Sequence, residues 1–196
     1  MIESIRALLD ALAVSFDLPI LDWIAANLWC PFLDTVMPII TLFGDAGIFW
    51  IAMSVVFMIT KKYRKTGLSM ILALVMGLLV CNIWLKPTVA RMRPYDFQME
   101  YFMKEIPLLV GGMHDFSFPS GHTIASFEAA VAIALNNKKL GIPALILAVL
   151  IAFSRLYMYL HYPTDVIVSI LLGTALAFLG NFLAGKIMNK LPEKLK

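Results

Sequence analysis

Residues 140–187 read LGIPALILAVLIAFSRLYMYLHYPTDVIVSILLGTALAFLGNFLAGKI, with apolar runs at 140–153 and 166–187. A helix needs about 20 mostly apolar residues to cross a bilayer, so each run can form a span together with its neighbours. The polar segment between the runs carries Arg155, His161 and Asp165. The pattern predicts two membrane-spanning helices joined by a short polar connection.

The rest of the chain repeats this pattern, with further apolar runs at residues 48–60, 68–85 and 123–135. Of the 196 residues, 61% are hydrophobic and 15% are charged, and the mean hydropathy is +0.84. This composition excludes an ordinary soluble enzyme. We predict an all-α integral membrane protein, folded as a single membrane-embedded domain over residues 1–196, with a bundle of about six transmembrane helices.

The N-terminal region differs from these spans. Residues 1–17 place apolar side chains at helical spacing between charged ones, which is typical of a helix that lies in the membrane interface. Residues 18–43 are apolar but contain two acidic residues and two prolines: Asp22, Pro31, Asp34 and Pro38. They predict either one kinked span or two short interfacial segments.

Most basic residues fall in tracts at 61–65, 138–139 and 186–196, at the ends of alternate spans. All three tracts therefore face one side, which the positive-inside rule assigns to the cytoplasm. With Arg6 added, eleven of the sixteen Lys and Arg residues lie on that side. The other five and the three histidines lie outside: Lys86, Arg91, Arg93, Lys104, Arg155, His114, His122 and His161. Because ionisable groups are costly at membrane depth, we predict that the outer face carries the functional site. Because the basic residues sit in short tracts between apolar runs, nucleic acid is not expected as a partner.

Two clusters on that face are suited to holding an anion. Lys86 and Arg93 are seven residues apart, about two helical turns, so their charges can converge. Ser120, Gly121 and His122 begin an apolar run, where the N–H groups of a helix N-terminus can bind an anion. Each cluster alone has a simpler interpretation, because lone cations snorkel at span ends and Ser commonly caps helices.

A third cluster contains Arg155, His161 and Asp165. The four-residue step lets Asp165 reach His161 if Pro163 opens the last helix. A carboxylate that holds one imidazole nitrogen leaves the other nitrogen as a nucleophile or base. The simpler alternative is an interfacial histidine beside a helix-capping aspartate.

Other features of the outer face have ordinary interpretations. We interpret Arg91 as a contact to lipid headgroups or to the surface, and His114 as a solvated loop histidine rather than as part of a second His–Asp pair with Asp115. Residues 95–118 mix aromatic and charged side chains, and they form either an interfacial flap at the lipid entrance or a plain amphipathic loop.

Taken together, the patterns Lys-x6-Arg-Pro, Pro-Ser-Gly-His and Ser-Arg-x5-His-x3-Asp resemble the type 2 phosphatidic-acid phosphatase (lipid phosphate phosphatase) superfamily. The chain looks like a small bacterial membrane member, and the resemblance covers residues 68–180. It implies that His161 attacks phosphorus, that Asp165 orients His161, and that His122 protonates the leaving oxygen. It also implies the phosphate-holding residues: Lys86, Arg93, Ser120, Gly121 and Arg155. Because cations and amides supply the positive charge, no metal ion or other cofactor is expected.

The resemblance further implies a lipid phosphatase at the outer leaflet that works through a phosphohistidine, with undecaprenyl pyrophosphate as the first choice of substrate. The alternatives are a phosphatidylglycerol phosphate or phosphatidic acid phosphatase, or a lipid phosphotransferase. An anion transporter is the alternative from another class, and it explains the three cations but not the histidines. The oligomeric state stays open.

Overall fold

A computed structural model of the chain describes residues 2–190 and 192, with side chains from residue 4 onward. Within these residues the chain forms helices and no strands. The predicted all-helical architecture is confirmed. The two predicted tail lysines, Lys194 and Lys196, and the outermost residues of the predicted domain lie outside the described residues.

The N-terminal region forms helices α1 (Ile2–Leu12) and α2 (Leu18–Leu28), joined by a π-helical turn (Ala13–Asp17). Trp29 and Cys30 are extended, and α3 (Pro31–Leu42) follows. The break falls before Pro31 because a residue that precedes proline is disfavoured in the helical region. Residues 18–43 therefore form two separate helices of 11 and 12 residues, not one kinked span.

The membrane bundle is built from longer helices. After a 3₁₀ turn (Asp45–Gly47) come α4 (Ile48–Ile59) and α5 (Arg64–Gly77), and α5 continues through a π-helical segment (Leu78–Leu85) into α6 (Lys86–Val89). The remaining helices are α7 (Pro94–Phe102), α8 (Gly121–Asn136), α9 (Lys138–Tyr157) and α10 (Pro163–Lys190).

Four helical runs among the described residues are long and apolar enough to cross a membrane: Pro31–Ile59, Lys61–Phe102, Lys138–Tyr157 and Pro163–Lys190. Helix α8 has 16 residues, about 24 Å of helix, and packs against α5, α9 and α10 inside the bundle. The chain is thus a multi-pass membrane protein, and the predicted count of about six spans is approximate.

Glycines let the helices of the bundle approach one another closely. A Cβ on Gly141 of α9 would lie 2.2 Å from the Cα of Ala134 on α8, and one on Gly180 of α10 would lie 2.7 Å from the carbonyl oxygen of Ser69 on α5. The core between these helices is apolar, with Met70, Ile133 and Ile151 fully buried or nearly so.

The two ends of the bundle differ in chemistry. At one end Asn181 accepts hydrogen bonds from Ser69 and Asn136, and the basic tracts lie beyond this contact. The motif residues lie at the opposite end, here called the site end. Arg6 also lies at the site end, because its Nε donates to the Val89 carbonyl at 2.6 Å. The sequence analysis grouped Arg6 with the basic tracts, and the structure separates it from them, so that the described basic residues number eight at the far end and six at the site end.

We expect Gly141→Ala to destabilise the fold by about 2 kcal/mol, because the added methyl overlaps the backbone of Ala134. Gly185→Ala is the matched control, since its Cβ would meet only the Cε of Lys65 at 3.9 Å. The measurement is thermal unfolding of both variants in detergent. Equal midpoints for the two variants would contradict this account of the α8–α9 contact.

Candidate active site

A cavity of about 650 Å³ lies at the site end, and groups from all three sequence clusters line it. The lining residues that were predicted as site residues are Lys86, Arg93, Gly121, His122, Arg155 and His161. A volume of this size is ordinary for a small-molecule site. The structure therefore brings together six of the eight predicted residues around one space, and Ser120 and Asp165 lie buried behind its wall.

The ends of helices position these side chains. Lys86 stands in the first turn of α6, and Ala90 then adopts a left-handed conformation (φ 48°) that ends the helix. Arg93 precedes Pro94, the first residue of α7. Arg155 lies in the last turn of α9. Helix ends at one level of the bundle thus place residues that are distant in sequence around the same cavity.

His161 lies in the connection between α9 and α10 and is buried. Its Nδ1 is 3.5 Å from Oδ2 of Asp165, and its Nε2 is 3.4 Å from Nη1 of Arg93. Burial lowers the pKa of His161 well below its usual value, and the charges of Arg93, Arg155 and Lys86 lower it further. The imidazole is therefore neutral at neutral pH and has a lone pair available.

Asp165 is fixed on both carboxylate oxygens. Its Oδ2 accepts hydrogen bonds from the Ser117 hydroxyl and from the backbone N–H of Tyr162, the latter at 3.0 Å. Its Oδ1 accepts from Nη1 of Arg91 at 2.5 Å. A carboxylate held in this way presents a constant orientation to His161.

Arg91 is not a headgroup or surface contact, and that interpretation was wrong. The residue is 3% exposed, and its guanidinium bonds Asp165 on one side and Asp17 on the other at 2.8 Å. It also stacks on the ring of Tyr162, with 3.7 Å between the guanidinium carbon and the ring centroid. The only sequence signal for the Arg91–Asp17 pair was an aspartate within the largely apolar stretch 13–18, because the two residues are 74 positions apart in the chain.

Lys86 and Arg93 are already bound to a carboxylate. Nζ of Lys86 lies 2.5 Å from Oδ2 of Asp115, and Nη2 of Arg93 donates to Oδ1. Burial alone would raise the pKa of Asp115, but the hydrogen bonds and charges of these two cations outweigh burial and lower its pKa to about 2. The sequence analysis did not connect Asp115 with these cations, whereas His114 beside it is exposed, as a solvated loop histidine is expected to be.

All the nitrogens of the Arg93 guanidinium are engaged. Its Nε donates to the Asp115 carbonyl at 2.9 Å, and its Nη1 donates to the Leu160 carbonyl at 2.8 Å and faces His161. Its Nη2 contacts the Phe116 carbonyl at 3.5 Å in addition to the Asp115 carboxylate. A new anion that binds Arg93 must therefore take the place of an existing acceptor, and Asp115 is the charged one.

Arg155 differs from Arg93 because two of its guanidinium nitrogens have no hydrogen-bond partner among the described residues. It is 1% exposed, and its Nη1 donates to the Thr41 hydroxyl at 2.8 Å. Its Nε and Nη2 have no hydrogen-bond partner among residues 2–190. Buried donors normally have partners, so two unused donors on a cavity wall point to an anionic ligand.

The N-terminus of α8 forms the remaining wall. The Ser120 hydroxyl accepts from Thr123 at 3.0 Å, and the Ser120 N–H donates to the Ser169 hydroxyl at 2.9 Å. Gly121 faces the cavity, where a Cβ would lie 3.3 Å from Oδ1 of Asn82. Ser120 thus shapes the helix start, while the first turn of the helix faces the space.

Asp45 is a candidate site residue that the sequence analysis missed. It lines the cavity, and its Oδ1 is 3.6 Å from Nε2 of His122. It lies in a Gly-Asp-Ala-Gly segment, 44–47, where Ala46 and Gly47 both adopt left-handed conformations. Two glycines that flank an acidic residue between apolar runs are the signal that could have indicated it.

The arrangement is suited to phosphate chemistry. Three cations and a helix N-terminus surround a space that a neutral imidazole borders, and a fixed carboxylate stands behind that imidazole. Positive groups fixed in this way stabilise the charge that develops on a transferred phosphoryl group. Among the described residues, no group of three or more His, Cys, Asp and Glu is placed to hold a metal ion.

Comparisons with known proteins agree with this geometry. Undecaprenyl-diphosphatase of Sulfolobus acidocaldarius is 33% identical over 132 residues, which cover 66% of this chain and 61% of that protein. Undecaprenyl-diphosphatase BcrC of Bacillus subtilis is 28% identical and is aligned over 75% of this chain and 72% of its own length. The crystal structure of a PAP2-type phosphatidylglycerolphosphate phosphatase from Bacillus subtilis superposes with a TM-score of 0.69 at 26% identity, covering 92% of this chain and 88% of that one. The family described as the PAP2 superfamily matches residues 63–186, more than half of the chain. The resemblance drawn from the three motifs is confirmed, and the protein belongs to the PAP2 superfamily.

Proposed function

We propose that the protein is a membrane lipid phosphatase that removes the terminal phosphate from a lipid phosphate or pyrophosphate. The observation that carries this proposal is the His161–Asp165 pair on the edge of a cavity with three cations. The same cavity continues between apolar helix faces, which suits a substrate with a hydrocarbon tail. The names of the relatives support undecaprenyl pyrophosphate as the first choice.

In the proposed reaction, Nε2 of His161 attacks the terminal phosphorus. A P–N bond forms as the P–O bond to the lipid breaks, and His122 donates a proton to the leaving oxygen. Water then cleaves the P–N bond and releases inorganic phosphate. Asp165 accepts a hydrogen bond from the Nδ1–H of His161 as the imidazole gains charge, and Arg91 holds Asp165 in place.

The phosphoryl oxygens are held by the cations and by the first turn of α8. Arg155 offers two unused donors at once. Lys86 and Arg93 bind the phosphate when it displaces the Asp115 carboxylate. The Gly121 amide completes the set, and Ser120 contributes through the helix start that it fixes.

We further propose that the site faces the outside of the cell. The far end of the bundle holds eight of the described basic residues and the site end holds six, and all six at the site end contact groups of the protein itself. The larger number of basic residues therefore lies at the far end, which the positive-inside rule assigns to the cytoplasm.

The same residues fit other substrates and other activities. Phosphatidylglycerol phosphate and phosphatidic acid are the alternative substrates of a phosphatase. A phosphotransferase would pass the phosphate from His161 to a lipid acceptor instead of water, and analysis of products with and without that acceptor separates the two. An anion transporter would release no phosphate in detergent, where there are no compartments.

The decisive experiment is phosphate release in detergent from undecaprenyl pyrophosphate, phosphatidylglycerol phosphate and phosphatidic acid. We expect release from at least one lipid and an acid-labile phosphoenzyme from the labelled substrate. His161→Ala removes the nucleophile, so both signals disappear, whereas Asp165→Asn lowers the rate by about 10²-fold. His114→Ala is the control, because that histidine is exposed. A normal phosphoenzyme in His161→Ala would place the nucleophile elsewhere.

We expect Asp115→Asn to bind orthovanadate, a phosphate analogue, about tenfold more tightly than the unmodified protein. The substitution keeps the shape of the side chain and removes the charge that competes for Lys86 and Arg93. Glu100→Gln is the control, because it removes an exposed charge on α7. The measurement is the inhibition constant for phosphate release, and unchanged or weaker inhibition would show that Asp115 does not compete with phosphate.

Orientation is tested with single cysteines in a background that carries Cys30→Ser and Cys81→Ser. Gly112→Cys lies in the exposed loop at the site end and Lys139→Cys at the start of α9 at the far end. An impermeant thiol reagent added to intact cells should label the first and spare the second. The opposite labelling would place the site on the cytoplasmic side.

A further inference from the structure

The cavity extends past the predicted phosphate-binding groups into the bundle. Its deeper part lies between α4, α5 and α8 and is lined by apolar side chains, among them Ile51, Ile71, Leu74 and Leu78. Glu128 of α8 lines the same part. It lies seven residues after Gly121, nearly two full turns, and so shares the cavity-facing side of the helix.

One oxygen of the Glu128 carboxyl group is buried without a hydrogen-bond partner among the described residues. The residue is 1% exposed, and its Oε1 has no hydrogen-bond partner among the described residues. Ionisable side chains inside a membrane bundle are costly, and they usually mark a functional position. The mechanism proposed above makes no use of this carboxyl group.

The fold leaves space for this carboxyl group. A Cβ on Gly77 of α5 would overlap the carboxyl group of Glu128, so this carboxyl group lies directly against the backbone of α5. Five residues later on the same helix, Asn82 lies beside Gly121. Five residues correspond to about 7 Å of helix, so the carboxyl group lies about that far below the Gly121 amide.

We propose that Glu128 determines substrate specificity by hydrogen-bonding an acyl-ester carbonyl of a diacylglycerol phosphate. The proposal rests on the proposed phosphatase function and concerns its alternative substrates, the diacylglycerol phosphates, rather than undecaprenyl pyrophosphate. Five bonds separate the phosphorus of such a lipid from its nearest ester carbonyl carbon, a reach of about 6 Å when extended. A protonated carboxyl group has one O–H to donate to that carbonyl. A polyprenyl chain has no acceptor at the same depth.

The test compares dioleoyl phosphatidic acid with its dioleyl ether analogue, which lacks only the two ester carbonyls. One hydrogen bond in an apolar site predicts a ratio of kcat/KM values of about ten in favour of the ester. Glu128→Met, an apolar side chain of similar length, should reduce the ratio to about one. Glu128→Gln retains a donor and should keep a preference for the ester.

Glu100→Gln serves as the control and should keep the ratio of the unmodified protein. Thermal unfolding in detergent shows that each variant is folded. A ratio of one in the unmodified protein, or an unchanged ratio in Glu128→Met, would overturn the proposal.

A second measurement separates this proposal from the proposed function. If none of the lipids releases phosphate, the phosphatase proposal fails, and the ester contact is tested by binding. Dioleoylglycerol and its dioleyl ether carry no phosphate, and each is added to the protein during thermal unfolding. A larger shift with the ester that is lost in Glu128→Met supports the contact, and equal shifts overturn it.

Discussion

The guanidinium of Arg91 lies between two buried carboxylates, Asp17 near the start of the chain and Asp165 near its end. Removing one partner from a buried ion pair costs about 3–5 kcal/mol, because the remaining charge stays buried without compensation. Asp165 depends on this contact for one oxygen, and its other oxygen stands 3.5 Å from Nδ1 of His161. The carboxylate beside the His161 imidazole is therefore held by a network that joins the turn before α2, the segment before α7, and α10. A change at Asp17, far from the imidazole in sequence, can reach it through two side chains, Arg91 and Asp165.

The charges around the cavity are balanced unequally. Lys86 and Arg93 share Asp115, while Arg155 keeps two unused donors. An incoming group has to displace a carboxylate with a single charge, and the phosphate best able to do so carries two charges. A terminal phosphate is dianionic near neutral pH, whereas a phosphodiester has one charge. The internal carboxylate thus favours lipids with a terminal phosphate over the phosphodiesters that make up most of a bilayer.

Hydropathy and spacing predicted the helices and gathered most of the site residues at one end of the bundle. These features are local in the sequence. An apolar run is recognised without reference to the rest of the chain, and the residues within each motif are separated by short fixed spacings. The residues that escaped prediction act through partners distant in the chain. Arg6 contacts Val89, Arg91 contacts Asp17, and Asp115 contacts Lys86. The sequence analysis grouped Arg6 with the basic tracts, placed Arg91 at the surface and gave Asp115 no cationic partner. Only the packing of α1 and α2 over the site end and the path of residues 103–120 show these contacts.

The family match begins at residue 63, yet the site is not complete without the residues before it. Thr41 accepts the one hydrogen bond that Arg155 donates within the described chain, and Asp45 faces His122. These residues come from α3 and the turn after it, next to α1 and α2, which are not among the four candidate spans. Helices α1 and α2 lie at the site end, where Arg6 donates to the Val89 carbonyl and Trp29 donates to the Tyr157 carbonyl at 2.9 Å. The matched region thus supplies the groups that we propose to contact phosphate, and residues before it contact two of those groups, so substitutions before residue 63 can alter the proposed catalysis while every motif residue stays unchanged.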